Sequence, residues 1–261
     1  MTKSVSADRL AISEVTTPST SFEEHLRTYS DVGIAAISIA QGKLDPTKAD
    51  EQLRALEASC LQCSAGLPAH IGVLPTGAAC PGPTDLDERL ELVSSAIRDF
   101  APFRPSTLVV VSGALGDYAP AEARRIAVEG LRELARVAAE FELSLRLESV
   151  RPGHDPVGLR RCSRQHPSCC TAGERCASQR HYRKRRGPRD RFFPGDGVID
   201  LPAIIEALEA GGYEGFYDIE IFSDDGRFGT THPDAIWALS TEEVTRRSAE
   251  SSAKVWPTQS Y

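Results

Sequence analysis

The sequence predicts an α/β protein of the (β/α)8 TIM barrel class, incomplete, with about six recognisable strands. Three observations predict it. Strand-like and helix-like segments alternate without hairpin signals, the pattern of parallel βαβ units. Acidic residues stand at the C-terminal ends of strands, at Glu14, Glu148 and Glu220, and those ends form the active-site face of a barrel. No G-x-G-x-x-G follows the first strand and no Walker A sequence is present, which disfavours the nucleotide-binding open sheets.

The elements follow in order. "RLAISEV", Arg9 to Val15, alternates like a short strand. In "STSFEEHLRTYSDVG" Ser21 and Glu24 make a capping box, Phe22, Leu26 and Tyr29 share one helical face, and Gly33 ends the helix. "GIAAISIA" reads as a buried strand, and "TKADEQLRALEASC" as a helix with Leu53 and Leu56 inward. "SAGLPAHIGVLP" holds a third strand. "DLDERLELVSSAIRDF" is a helix with Leu90, Val93, Ile97 and Phe100 on one stripe and acids in its first turn. "STLVVVSGAL" is apolar throughout, as a strand covered on both faces should be. "APAEARRIAVEGLRELARVAAEF" is a helix, and "LSLRLES" a strand ending at Glu148.

The pattern then stops, and returns at "FPGDGVIDLPAIIEALEAGGYEGFYDIEIFS". Asp200 caps a helix with Pro202 in its first turn, and Gly211 and Gly212 end it. "GFYDIEIF" is a strand with Glu220 near its C-terminal end. "STEEVTRRSAESSAKVW" is a closing helix with a second capping box, Ser240 and Glu243, and a weak apolar face.

Bulk composition sets the limits. The 261 residues are 41% hydrophobic and carry a formal net charge of -7. Such a surface does not attract nucleic acid or anionic membrane. No apolar run approaches a membrane span, and the first residues lack the layout of a signal peptide. A cytoplasmic location is expected. Seven cysteines, odd in number and unevenly spaced, read as reduced thiols.

One tract breaks the composition. Arg160 to Arg191 holds ten arginines and one lysine against one glutamate and one aspartate, a net +9 that leaves −16 for the remainder. It contains no Leu, Ile, Val, Met or Phe, so nothing in it can fill a core. Residues 151–194 are therefore read as an aberrant basic, Cys/Arg-rich, disordered segment within one domain spanning 1–261. Only 51 residues lie between Glu148 and Asp200, too few for the strands and helices that a full barrel requires there. Cys162, His166, Cys169, Cys170, Cys176 and His181 are alternative zinc ligands, but their spacing lacks paired C-x2-4-C knuckles. A nucleic-acid arm is disfavoured because the tract has a single Tyr and no stacking platform. The favoured reading is a sequence not selected for folding, as a frame error or deletion would leave. The unpaired strand edges that follow invite homo-oligomer contacts.

"PGDGVIDLPAIIEALEAGGYEGFYDIEIFSDD" resembles the end of the xylose isomerase-like TIM barrels, the sugar phosphate isomerase/epimerase superfamily. "TLVVVSGALGDYAPAEARRIAVEGLRELARVAAEFELSLRLESV" is similar to that family's fourth strand, fourth helix and fifth strand, and "ISEVTTPSTSFEEHLRTYSDVGIAAISI" to its first unit. The resemblance spans Leu10 to Val150 and Gly195 to Trp256.

It implies a divalent metal (Mn, Mg, Co or Zn) and proton transfer through an enediolate on a sugar or sugar phosphate. Glu148 and Glu220 take the places of the strand-five and strand-eight ligands, which also serve as the acid/base pair. The aspartate and histidine expected between them have no strand-end counterpart. His70 is a candidate substrate contact. Glu14 is left as a surface or pocket residue, Asp196 as a turn former and His232 as a loop residue. The rival reading is a non-catalytic degenerate barrel whose Cys/His segment binds zinc or a partner. An apurinic-site endonuclease, which shares the fold, needs a richer His/Asp/Glu cluster.

Overall fold

A computed structural model describes residues 7–70, 72–75, 82–148, 191–197, 199–227, 229 and 232–256. The zinc candidates Cys162, His166, Cys169, Cys170, Cys176 and His181 lie outside the described residues, as does the basic tract up to residue 190.

Six strands are described: β1 (Leu10–Ser13), β2 (Ala36–Ala40), β3 (Gln62–Leu67), β4 (Leu108–Val111), β5 (Leu145–Glu148) and β6 (Tyr217–Ile219). They are hydrogen-bonded in the order β5-β4-β3-β2-β1-β6. The β1–β2, β1–β6, β3–β4 and β4–β5 pairs are parallel. The helices are α1 (Phe22–Val32), α2 (Ala49–Ser59), α3 (Leu86–Phe100), α4 (Pro120–Glu140), α5 (Leu201–Ala210) and α6 (Thr241–Val255). Alternation of parallel strands and helices is the expected α/β pattern.

The chain divides into two compact units, Met1–Ser38 with Arg54–Ser64 and Arg164–Tyr261, and Ile39–Leu53 with Ala65–Ser163. In the first, α1 starts where Ser21 accepts the Glu24 amide and stops at Gly33, whose φ of 82° is left-handed. Its inner face buries Phe22, Leu26 and Tyr29. Asp200 caps α5 through the Ala203 amide, and Ser240 caps α6 through the Glu243 amide. Leu201, Ile205, Tyr217 and Val255 form one apolar cluster, joined by Ile199, Leu208, Tyr213 and Trp256. The weak apolar face of α6 packs by small residues instead: Thr241, Thr245, Ser248, Ser251 and Ser252 are buried beside Val244 and Val255. Thr245 donates to the Thr241 carbonyl at 2.7 Å and Ser251 to the Ser248 carbonyl at 3.1 Å, while the Thr241 hydroxyl meets that of Thr20 at 2.5 Å.

In the second unit β4 is buried at all four positions, and α3 and α4 pack together. Gly130 permits a close approach, since a Cβ there would lie 2.5 Å from Val73 Cγ1. Gly113 is more constrained. Its φ is +86°, and a Cβ would fall 2.0 Å from the Leu74 carbonyl oxygen.

Three strands are shorter than the runs that predict them. The backbone leaves β1 at Ser13 and turns through a 3-10 segment, Glu14–Thr16. β6 ends at Ile219, one residue before Glu220. β3 begins and ends earlier than its run, leaving His70 beyond its end. No helix among the described residues is long and apolar enough to cross a membrane.

Candidate active site at the ends of β1 and β6

The first unit gathers polar side chains on one side of neighbouring strands. Register pairs Ser13 with Ser38 and Ala11 with Asp218. With a period of two, Ser13, Ser38 and Asp218 then share a side, and Glu220 follows just past the end of β6. Ser38 and Ser64 both donate to Asp218 Oδ2, Ser64 at 2.9 Å, and their own oxygens are 3.0 Å apart. Both serines are buried. The Ser13 hydroxyl is also buried and makes no hydrogen bond among the described residues.

Glu220 is fixed from two directions. Thr16, in the turn after β1, donates its hydroxyl to the Ile219 carbonyl at 3.1 Å and accepts the Ile221 amide at 3.1 Å. It thereby pins the backbone on both sides of Glu220. Arg191 approaches from the other flank. Its Nη1 donates to Glu220 Oε2 at 3.2 Å and to the Glu220 carbonyl at 3.1 Å, and its amide donates to the Phe222 carbonyl at 2.7 Å. Its Cζ sits 4.7 Å from the centre of the Phe222 ring. Further along, Ser223 accepts the Ile236 amide and the Trp237 indole donates to the Ile221 carbonyl, each at 3.0 Å.

Below this lies a sealed chain of polar groups. His25 Nδ1 is 2.9 Å from Glu14 Oε1, and His25 Nε2 is 2.7 Å from the Thr17 hydroxyl. Glu14 and His25 are fully buried, so Glu14 is not a surface residue. A carboxylate at a turn after an apolar strand is tolerated because a partner on α1 meets it. Tyr29 packs 5.3 Å from the His25 ring centre, and burial pushes its hydroxyl well above the usual phenol range.

Glu148 closes β5 in the second unit and is half-buried. His70, also in the second unit, is half-buried beyond β3, and a Cβ added at Gly82 would lie 3.1 Å from its Nδ1. Asp196 stands in a turn, its amide donating to the Phe193 carbonyl at 3.1 Å. The amide of His232 donates to the Asp224 carbonyl at 3.4 Å, in a loop. Sequence reasoning missed Asp218, Ser38, Ser64, Thr16, His25 and Arg191. A polar residue at an inward position of an apolar strand was the available signal for the first three.

No known protein-family profile and no curated protein sequence matches the chain. Solved structures do match in fold. A protein from Sinorhizobium meliloti superposes with a TM-score of 0.75 at 20% identity, covering 96% of this chain and 99% of its own. IolI, solved with a zinc atom, gives 0.67 at 15% identity, with 95% and 97% covered. D-psicose 3-epimerase from Clostridium cellulolyticum, solved with D-tagatose, gives 0.64 at 14% identity, with 95% and 98% covered. A xylose isomerase domain protein from Salmonella typhimurium gives 0.67 at 13% identity, with 97% and 99% covered. Six parallel strands with intervening helices, set beside these neighbours, give this chain the fold of the xylose isomerase-like TIM barrels.

Proposed function

We propose that this chain is a sugar or sugar-phosphate isomerase or epimerase working by proton transfer beside a carbonyl. Glu220 carries the reading: a carboxylate just past the C-terminal end of β6, held in one place by Thr16 and Arg191. In the proposed step a carboxylate removes the proton from the carbon next to the carbonyl. The C–H electron pair passes into an enediolate, and a proton returns to the same carbon from the other face, or to the neighbouring carbon. Glu148 is the second carboxylate assigned to this exchange. The neighbours solved as D-psicose 3-epimerase, one with D-tagatose and one with D-fructose, support a sugar as the substrate class.

A divalent metal (Mn, Mg, Co or Zn) is the cofactor that the resemblance implies. Mg2+ takes about six ligands in near-octahedral geometry. Among the described residues no group of three His, Cys, Asp or Glu could hold an ion, and Glu220 already receives Arg191. The described donors do not fit such an ion, and no step is derived through it.

The test is solvent-deuterium exchange into D-fructose and D-tagatose, followed by NMR. Wild-type protein should exchange the proton beside the carbonyl. E220Q and E148Q should each lose about 10²–10⁴-fold in rate. Exchange unaffected by both substitutions refutes the assignment.

A further inference from the structure

The geometry points to Arg191 as the resident cation at Glu220, so that this carboxylate is not a divalent-metal ligand in this protein. The inference rests on the reading of Glu220 as the proton-transfer carboxylate, and it departs from the metal site that the resemblance implies.

Three observations carry it. First, the guanidinium is anchored to the strand as well as to the carboxylate. Nη1 bonds both Oε2 and the backbone carbonyl of Glu220, while the backbone amide of Arg191 bonds the Phe222 carbonyl. A metal competing for the carboxylate would leave the other two bonds in place, and the positive charge with them.

Second, the arginine is preorganised. Its Cζ lies over the Phe222 ring, and only 22% of its side chain is exposed. The residues that follow are docked as well: Phe193 is 2% exposed and lies beneath Arg247, whose Cζ is 4.4 Å from its ring centre. Gly195, at φ +85°, turns the chain where a Cβ would press on Val255 at 2.9 Å.

Third, an arginine does not discharge. A divalent ion bound to an oxygen of Glu220 at the usual ~2–2.6 Å would sit within a few ångströms of a permanent like charge. No second acidic or imidazole group among the described residues completes a metal-holding trio there to offset that repulsion. The ion pair thus does locally what a metal would do, neutralising and orienting one carboxylate, and it excludes the metal while doing so.

The experiment uses the full chain and two readouts that need no turnover. Protein stripped with chelator is titrated with Mn2+, and free ion is followed by electron paramagnetic resonance. Wild type and R191K should show no stoichiometric site that depends on Glu220. One equivalent of Mn2+ bound by wild type and lost in E220Q overturns the inference. An ion that persists in E220Q is held elsewhere and leaves it standing.

The second readout is a double-mutant cycle in urea with R191M, E220Q and the pair. Coupling should change the unfolding constant by about fivefold or more. Coupling below about twofold overturns the inference. If R191M does not fold, R191Q replaces it in the cycle. Sugar exchange that fails while both readouts succeed would count against the proposed reaction alone.

Discussion

His25 Nδ1 lies 2.9 Å from Glu14 Oε1, and neither side chain is exposed to solvent. The pair ties the turn after β1 to the first turn of α1, and Thr17 completes it from the other ring nitrogen. Removing one member strands the other in a medium that cannot solvate it. E14A and H25A should each cost about 3 kcal/mol, and the double substitution should cost clearly less than their sum. Urea unfolding of the three variants checks this.

Thr16 offers a milder perturbation of the same region. T16V keeps the shape but leaves the Ile219 carbonyl and the Ile221 amide without their shared hydroxyl. The expected loss is about 1–3 kcal/mol, and T16S should recover most of it. If Glu220 performs the proposed exchange, T16V should also slow it, because the backbone on both sides of the carboxylate is released.

Alkaline pH should unfold the protein through Tyr29. Burial raises its folded pKa above the ordinary 10.0. Below pH 10 both states hold the proton and stability is at its full value. Above it the unfolded state ionises first, and stability falls until the folded pKa is passed. The slope attributable to Tyr29 should be about 1.4 kcal/mol per pH unit, and Y29F should remove it. Thermal melts from pH 9 to 11 measure the difference.

The capping signals at Ser21, Asp200 and Ser240 were legible because each is a contact across three residues of chain. The apolar stripes of α1 and α3 were legible for the same reason, a short period repeated. The Asp218 cluster was not. Ser38, Ser64 and Asp218 meet only through the register of strands far apart in sequence, and no local period encodes that register. His25 was missed because a histidine on a helix declares no partner, and its carboxylate sits on another element. Arg191 was absorbed into a run defined by what it lacks. The signal lay in the next two residues, Phe192 and Phe193, large aromatic side chains of which Phe193 is buried.

Arg9 anchors the opposite end of β1. It pairs with Glu209 at 2.9 Å, donates to the Tyr213 and Gly215 carbonyls, and lies over the Tyr213 and Tyr217 rings. R9A should cost about 2–3 kcal/mol. R9K should recover less than half, because an ammonium cannot reproduce the fork or the stack. Chemical denaturation decides it.

Gly113 admits no side chain. G113A adds a positive-φ penalty to a collision with the Leu74 backbone, so the loop must move or the strand must shift. We expect at least about 2 kcal/mol of destabilisation, read as a lowered melting temperature.

The clasp that Arg191 makes on Glu220 and Phe222 works with Thr16 like a vice. One jaw is the turn after β1, and the other is the segment that opens at Arg191. The two jaws come from distant stretches of chain, so the carboxylate keeps its place only while both keep theirs.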